Sequence, residues 1–147
     1  MAGFIGKELH SLDDKGRLMI PVKFRKKLEN QDAGAVFILM KTMSDSIEMY
    51  EESAWKELQR KLAQLSDFNP EEKKLKTFIN ANLDEAELDK QGRVALPKEF
   101  LEACEITKQV IIIGEGNKLS LWNPEKLKQA LNIAPTEYET LTQKILG

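Results

Sequence analysis

Leu12-Asp13-Asp14-Lys15-Gly16-Arg17-Leu18-Met19-Ile20-Pro21 decides how this chain folds, because it returns as Leu88-Asp89-Lys90-Gln91-Gly92-Arg93-Val94-Ala95-Leu96-Pro97. The shared pattern is Leu-Asp-x-x-Gly-Arg, then alternating apolar residues, then Pro. Aspartate forms turns because its carboxylate accepts hydrogen bonds from its own backbone two residues on. Gly16 and Gly92 supply backbone angles that a side chain resists. Leu18 and Ile20, like Val94 and Leu96, alternate with their neighbours as a half-buried strand does. Each copy is therefore a turn that feeds a strand, and the strand stops at Pro. Asp13 and Asp89 lie four residues before Arg17 and Arg93, within reach across the turn for a charge-assisted bond.

The repetition continues past each Pro. A short helical stretch carries Phe24 or Phe100, then comes an apolar run, Val36–Leu39 or Val110–Ile113. Next is an alternating strand that ends in Tyr50 or Trp122. The same order twice is a tandem duplication, and two copies are too few for a solenoid. The spacing predicts an α+β protein of two βαββ-type halves, 1–80 and 81–147, packed about a pseudo-two-fold axis.

In chain order, Phe4–Leu12 is a strand, and residues 17–20 pair back on it as a hairpin. Pro21 opens a helix through Leu28, since Pro suits a first helical turn. Val36–Met40 and Ile47–Tyr50 pair as strands, and Ser53–Leu65 is a helix with Trp55, Leu58, Leu62 and Leu65 on one face. Asn69 caps a helix beginning at Pro70, with Glu72 at the capping-box position and Leu75, Phe78 and Ile79 as its apolar face. The second half repeats the strands over Leu83–Leu88, Arg93–Leu96, Gln109–Ile113 and Lys118–Trp122. Helices follow from Pro124, carrying Leu127 and Leu131, and from Pro135, carrying Tyr138, Leu141 and Ile145.

A 147-residue chain that is 31% charged and 41% hydrophobic fits a globular protein. Its one cysteine, Cys104, allows no intrachain disulfide, so a reducing compartment is expected. Met1-Ala2-Gly3-Phe4-Ile5-Gly6 has no sustained apolar run of a signal peptide, and no apolar run is long enough for a bilayer. The expectation is a cytoplasmic protein with no membrane partner. The net charge of −2 argues against bulk attraction to a polyanion, but the halves differ. Residues 7–28 hold seven basic and three acidic side chains, a net +4; the matching window 83–104 holds three basic and six acidic, a net −3. A polyanion favours the first half, because phosphate contacts dominate affinity for nucleic acid.

The duplicated motif, the flanking His10-Ser11-Leu12, the continuation Pro21-x-x-Phe24-Arg25 and the later Gly114-x-x-Asn117-Lys118-x-x-x-Trp122 resemble the MraZ family of bacterial transcriptional regulators. That family lies in the AbrB-like swapped-hairpin superfamily, and the resemblance covers residues 3–133. It implies a pseudo-dimeric swapped-hairpin β-barrel with peripheral helices, a ring-shaped homo-oligomer, and binding to double-stranded DNA. The DNA implied is a set of direct repeats upstream of the division and cell-wall gene cluster that includes the protein's own gene. A steric repressor at the nucleoid is the role expected, with no cofactor. The signature residues fall on Asp13 and Arg17, and on Asp89 and Arg93. Position 90 is Lys where Asp14 stands in the first copy, and position 91 is Gln where Lys15 stands.

A hairpin edge with Lys15 and Arg17 suits the major groove, as β-ribbon readers do. Lys23, Arg25, Lys26 and Lys27 then hold phosphates, while Asp13, Gly16, Asp89, Gly92 and Arg93 shape the turns. Plainer readings stand beside these. Either arginine serves only its aspartate, or Lys23–Lys27 is an ordinary solvated helix face. His10 is the only histidine and there is no Cys pair, so no metal or catalytic site is expected. Trp55, Trp122 and Cys104 read as packing. A ring-forming assembly module that binds no DNA is the alternative function, and an enzyme lacks a nucleophile–base or metal constellation.

Overall fold

In the computed structural model the described residues are 3–147; Met1 and Ala2, part of the N-terminal stretch read for a signal peptide, lie outside them. The alternating stretches make strands β1 (Phe4–Ser11), β2 (Arg17–Met19), β3 (Val36–Lys41) and β4 (Ile47–Glu51) in the first half. Their counterparts are β5 (Leu83–Glu87), β6 (Arg93–Ala95), β7 (Gln109–Gly116) and β8 (Leu119–Trp122). Helices α1 (Val22–Arg25), α2 (Glu52–Ala63) and α3 (Pro70–Ala81) belong to the first half; α4 (Lys98–Ala103), α5 (Pro124–Ala130) and α6 (Pro135–Leu146) belong to the second.

The halves are interleaved. β1 pairs antiparallel with β7, and β5 pairs antiparallel with β3. β4 and β8 meet at the centre of one mostly antiparallel sheet, ordered β1-β7-β8-β4-β3-β5. The first strand of each half thus lies on the third strand of the other. β2 and β6 pair with each other, Leu18 opposite Val94, as a separate two-stranded ribbon, and Val94 also bridges Leu88 just beyond β5. Ile20 N–H donates to Gly92 O at 2.9 Å and Leu96 N–H to Gly16 O at 3.1 Å, which extends the ribbon symmetrically.

Two expectations are corrected here. Residues 17–20 do not pair back on β1. The Asp13 turn closes with a single backbone bond of this kind, Asp13 N–H to Arg17 O at 3.0 Å. Crossing to the other half lets Leu18 and Ile20 bury with Val94 and Leu96, all at most 5% exposed, and leaves the β1 ladder to β7. The described strands also do not close into one barrel ladder: the sheet is open, with β1 and β5 at its edges. The ribbon strands are three residues long, between an Asp-x-x-Gly turn and a Pro with no N–H, too short to carry a ladder around a barrel.

The core lies between the inner face of the sheet and a layer made of the ribbon, α1 and α4. Phe24 and Phe100 reach into it beside Leu39, Met49, Val110 and Ile112. α1 ends at Arg25 rather than Leu28, because Lys27 and Leu28 switch to tighter three-residue bonds to Phe24 O and Arg25 O, which tucks Leu28 inside. On the outer face, Trp55 of α2 packs edge-on against Tyr50 at 5.8 Å. Ion pairs tie the halves, Lys118 to Glu48 at 2.9 Å and Lys126 to Asp45 at 3.2 Å, and Lys126 also bonds Glu105 of its own half at 2.7 Å.

α3 and α6 bury no residue, so the apolar faces expected of them stand exposed on the single chain, Leu75 and Phe78 on one, Leu141 and Ile145 on the other. α3 holds together by its cap. Asn69 Oδ1 accepts from Glu71 N–H and Glu72 N–H at 3.0 and 3.2 Å. Glu72 does not close the expected capping box; its carboxylate accepts from Ser66 N–H at 3.1 Å, because Asn69 N–H points to Ser66 O. With nothing buried to compensate, Asn69→Ala removes about 1 kcal/mol of local helix stability, read as faster amide exchange over the first turn of α3.

Candidate nucleic-acid interface

The ribbon places two arginines on one surface. Leu18 and Val94 point inward, so Arg17, Met19, Arg93 and Ala95 point outward. The register sets Arg17 opposite Ala95 and Arg93 opposite Met19, which makes the two guanidinium groups diagonal neighbours.

Each arginine is braced by its own turn. Asp13 Oδ1 accepts from Lys15 N–H and Arg17 N–H, both at 2.9 Å, and Oδ2 accepts from Arg17 Nε at 2.6 Å. Asp89 repeats the pattern with Gln91 N–H and Arg93 N–H, both at 2.9 Å, and Arg93 Nε at 3.0 Å. Gly16 at φ +71° and Gly92 at φ +81° make these turns sterically free.

The Arg17 backbone N–H, followed by its guanidinium and the Lys15 N–H, outweighs the desolvation of Asp13 and holds its carboxyl down to about 2. Asp89 is lowered too, led by the Arg93 backbone N–H. A folded value below the ordinary 3.8 means that the Asp13 brace contributes fully above pH 3.8 and is lost as pH falls toward 2. The carboxyl carbon shift of Asp13 is expected to titrate with a midpoint near 2 in the wild type and near its ordinary value when the chain is unfolded.

The arginines are not equivalent beyond this brace. Arg93 Nη2 donates to Gln91 Oε1 at 3.2 Å, and its Nη1 lies 3.7 Å from Asp13 Oδ2 in the other half. Arg17 has its Nε bond to Asp13, and its terminal nitrogens have no hydrogen-bond partner among the described residues. The exposed Lys15 stands where Gln91 does and has no acceptor to offer.

The other basic residues are spread more widely than their sequence run indicates. Arg25 lies over the turn of the other half: a methyl group at Gly92 would collide with its guanidinium. The equivalent residue of α4, Leu101, covers Gly16, whose added Cβ would meet it at 3.2 Å. Lys23 lies over Gly6 of β1, and Lys26 and Lys27 are exposed in the turn after α1. Lys15 and Arg17 thus share one end of the ribbon, Arg25 stands at the other, and Lys23 sits apart. Sequence reasoning missed the diagonal neighbourhood of Arg17 and Arg93. The alternation of both strands carried that signal, but only the pairing between halves makes it one surface.

Cys104 is buried, and burial pushes its thiol up to about 11. Trp122 Nε1 donates to Ser120 Oγ at 3.0 Å. No helix among the described residues is long and apolar enough to cross a membrane.

The MraZ family model, which describes an antitoxin-like protein, matches this chain twice, over residues 4–78 and 79–144. A relative from Chlorobium phaeobacteroides strain BS1, named transcriptional regulator MraZ, is 49% identical over 145 residues, covering 96% of this chain and 97% of its own length. One of the same name from strain DSM 266 is 48% identical, covering 98% and 99%. Another from Prosthecochloris aestuarii is 42% identical, covering 96% and 97%. The Asp-braced arginine turns, present once in each matched half, sit in a chain that belongs to the MraZ family.

Proposed function

We propose that this chain is a sequence-specific DNA-binding transcriptional regulator that reads duplex DNA with the outward face of its β2·β6 ribbon. The observation that carries this reading is Arg17, braced through Nε by Asp13 with its terminal nitrogens unbonded. That brace fixes a guanidinium while leaving the fork that bonds guanine O6 and N7 in the major groove. Lys15, Lys23, Arg25, Lys26 and Lys27 take phosphates and set register, as basic side chains around a reader do. Asp13, Gly16, Asp89, Gly92 and Arg93 hold the two turns in shape. The names of the relatives support the regulatory class.

One such surface is small. Several copies on spaced direct repeats gain about 10²- to 10⁴-fold in avidity, which makes a homo-oligomeric ring the effective species. Exposed Ile5 and Leu9 of β1 and Leu131 beyond α5, with Lys7 and Lys128 beside them, supply apolar surface suited to such assembly. The interleaved halves then act as an internal version of a swapped-hairpin dimer. Bound to repeats upstream of its own division and cell-wall gene cluster, at the nucleoid in the cytoplasm, the ring excludes polymerase and represses.

The test is fluorescence anisotropy of the wild-type protein with the duplex upstream of its own gene and with a scrambled duplex of the same composition. Preferred binding of the native duplex, weakening linearly in log salt, is the expected result. Equal binding to both sequences overturns specific reading. No binding to either, with oligomers intact, favours a ring-forming assembly module, the reading that the exposed apolar side chains also fit.

A further inference from the structure

We propose that Gln91 decides which of the two motifs reads DNA, by capping the guanidinium of Arg93; this rests on the ribbon being the reading surface. The two turns are built alike, with the same aspartate bonds to the same backbone positions. They part at the residue before Gly. In the second half Gln91 Oε1 accepts from Arg93 Nη2 at 3.2 Å. Asp89 takes Nε at 3.0 Å, and Asp13 of the first half faces Nη1 at 3.7 Å. All three nitrogens of Arg93 therefore face protein acceptors. In the first half the same position is Lys15, a donor only, so nothing turns the terminal nitrogens of Arg17 away from an outside acceptor.

The chemical consequence follows from guanidinium geometry. Bidentate recognition of a guanine edge uses two N–H groups of one fork at once. The Gln91 bond commits one Nη2 N–H of Arg93 and, with the Asp13 carboxylate beside Nη1, holds the guanidinium against the protein, whereas neither terminal nitrogen of Arg17 is bonded among the described residues. Arg93 acts instead as a positioning residue, because its Nη1 adds positive charge beside the Asp13 carboxylate that braces Arg17. The duplication has thus produced one open reader and one capped reader on the same ribbon face. An asymmetric half-site, contacted by one arginine per chain, is the DNA this arrangement fits. Gln91 is exposed, so replacing it disturbs no buried side chain.

Gln91→Ala removes the cap without adding charge, and it is tested beside Arg17→Ala and the double variant. Binding is read by anisotropy on the duplex upstream of the protein's own gene. The uncapped Arg93 is expected to restore affinity lost in Arg17→Ala, by about tenfold in the double variant, the worth of one good arginine contact. A readout independent of DNA goes with it: the Arg93 guanidinium nitrogens in NMR should change from slow to fast rotation in Gln91→Ala, with Arg17 unchanged. If Arg17→Ala weakens binding and the double variant is no stronger, the capping proposal is overturned while DNA reading stands. If Gln91→Ala itself loses affinity, Gln91 contacts DNA directly and the proposal is again overturned. If Arg17→Ala binds as the wild type does, the reading surface itself is wrong.

Discussion

Phe24→Ala is expected to cost about 3–5 kcal/mol of folding stability, measured as a lowered denaturant midpoint with an unchanged slope. Phe24 is fully buried, yet it stands in a helix of only four residues. A helix that short has no stability of its own and exists because its one buried side chain is held. Phe24 meets Phe4 of β1 edge-to-face at 6.2 Å, so it also clamps the first strand of the sheet. Truncation leaves a cavity where α1, the ribbon and β1 converge, three elements that cannot all collapse into it. A typical domain has 5–15 kcal/mol in total, so the loss is a large share. Phe24→Leu, which keeps most of the volume, is expected to cost much less. Equal effects of the two substitutions would show that the site is not packed as described.

The second large effect is on DNA. Arg17→Ala is expected to weaken binding about 10- to 100-fold per site, the worth of a bidentate arginine on guanine. In a ring on several repeats the loss compounds, because every copy loses the same contact. Arg17→Lys keeps the charge and loses the fork. It should preserve the salt slope and still lose preference for the native sequence, since lysine acts as a point charge. Arg93→Ala should weaken binding less, through a looser Asp13 brace.

The two turns were legible in the sequence, because Asp, Gly and Arg at fixed spacing act locally: the carboxylate bonds to its own backbone and to Arg four residues on. The third and fourth strands of each half, and the Asn69 cap, were legible for the same reason. The pairing of β3 with β4 was legible as well, but local pattern did not show the partners that β1, β2, β5 and β6 take in the opposite half. Leu18 and Ile20 mark a half-buried strand whichever neighbour covers them, so alternation alone placed β2 on β1. The competing choice, β6, wins by burying Val94 and Leu96 against them, a contact between residues far apart in the chain. The same holds for the basic run after Pro21. Its charges are consecutive in sequence, but a four-residue helix aims them in different directions, Lys23 to β1 and Arg25 to the opposite turn.

The measurement that bears most directly on ribbon-based DNA reading is a salt series of anisotropy titrations on the duplex upstream of the protein's own gene, comparing wild type, Arg17→Ala and Arg93→Ala. Wild-type binding with a steep log–log slope, a large loss in Arg17→Ala and a smaller one in Arg93→Ala is the predicted result. Identical binding by all three, with oligomers unchanged, would contradict it.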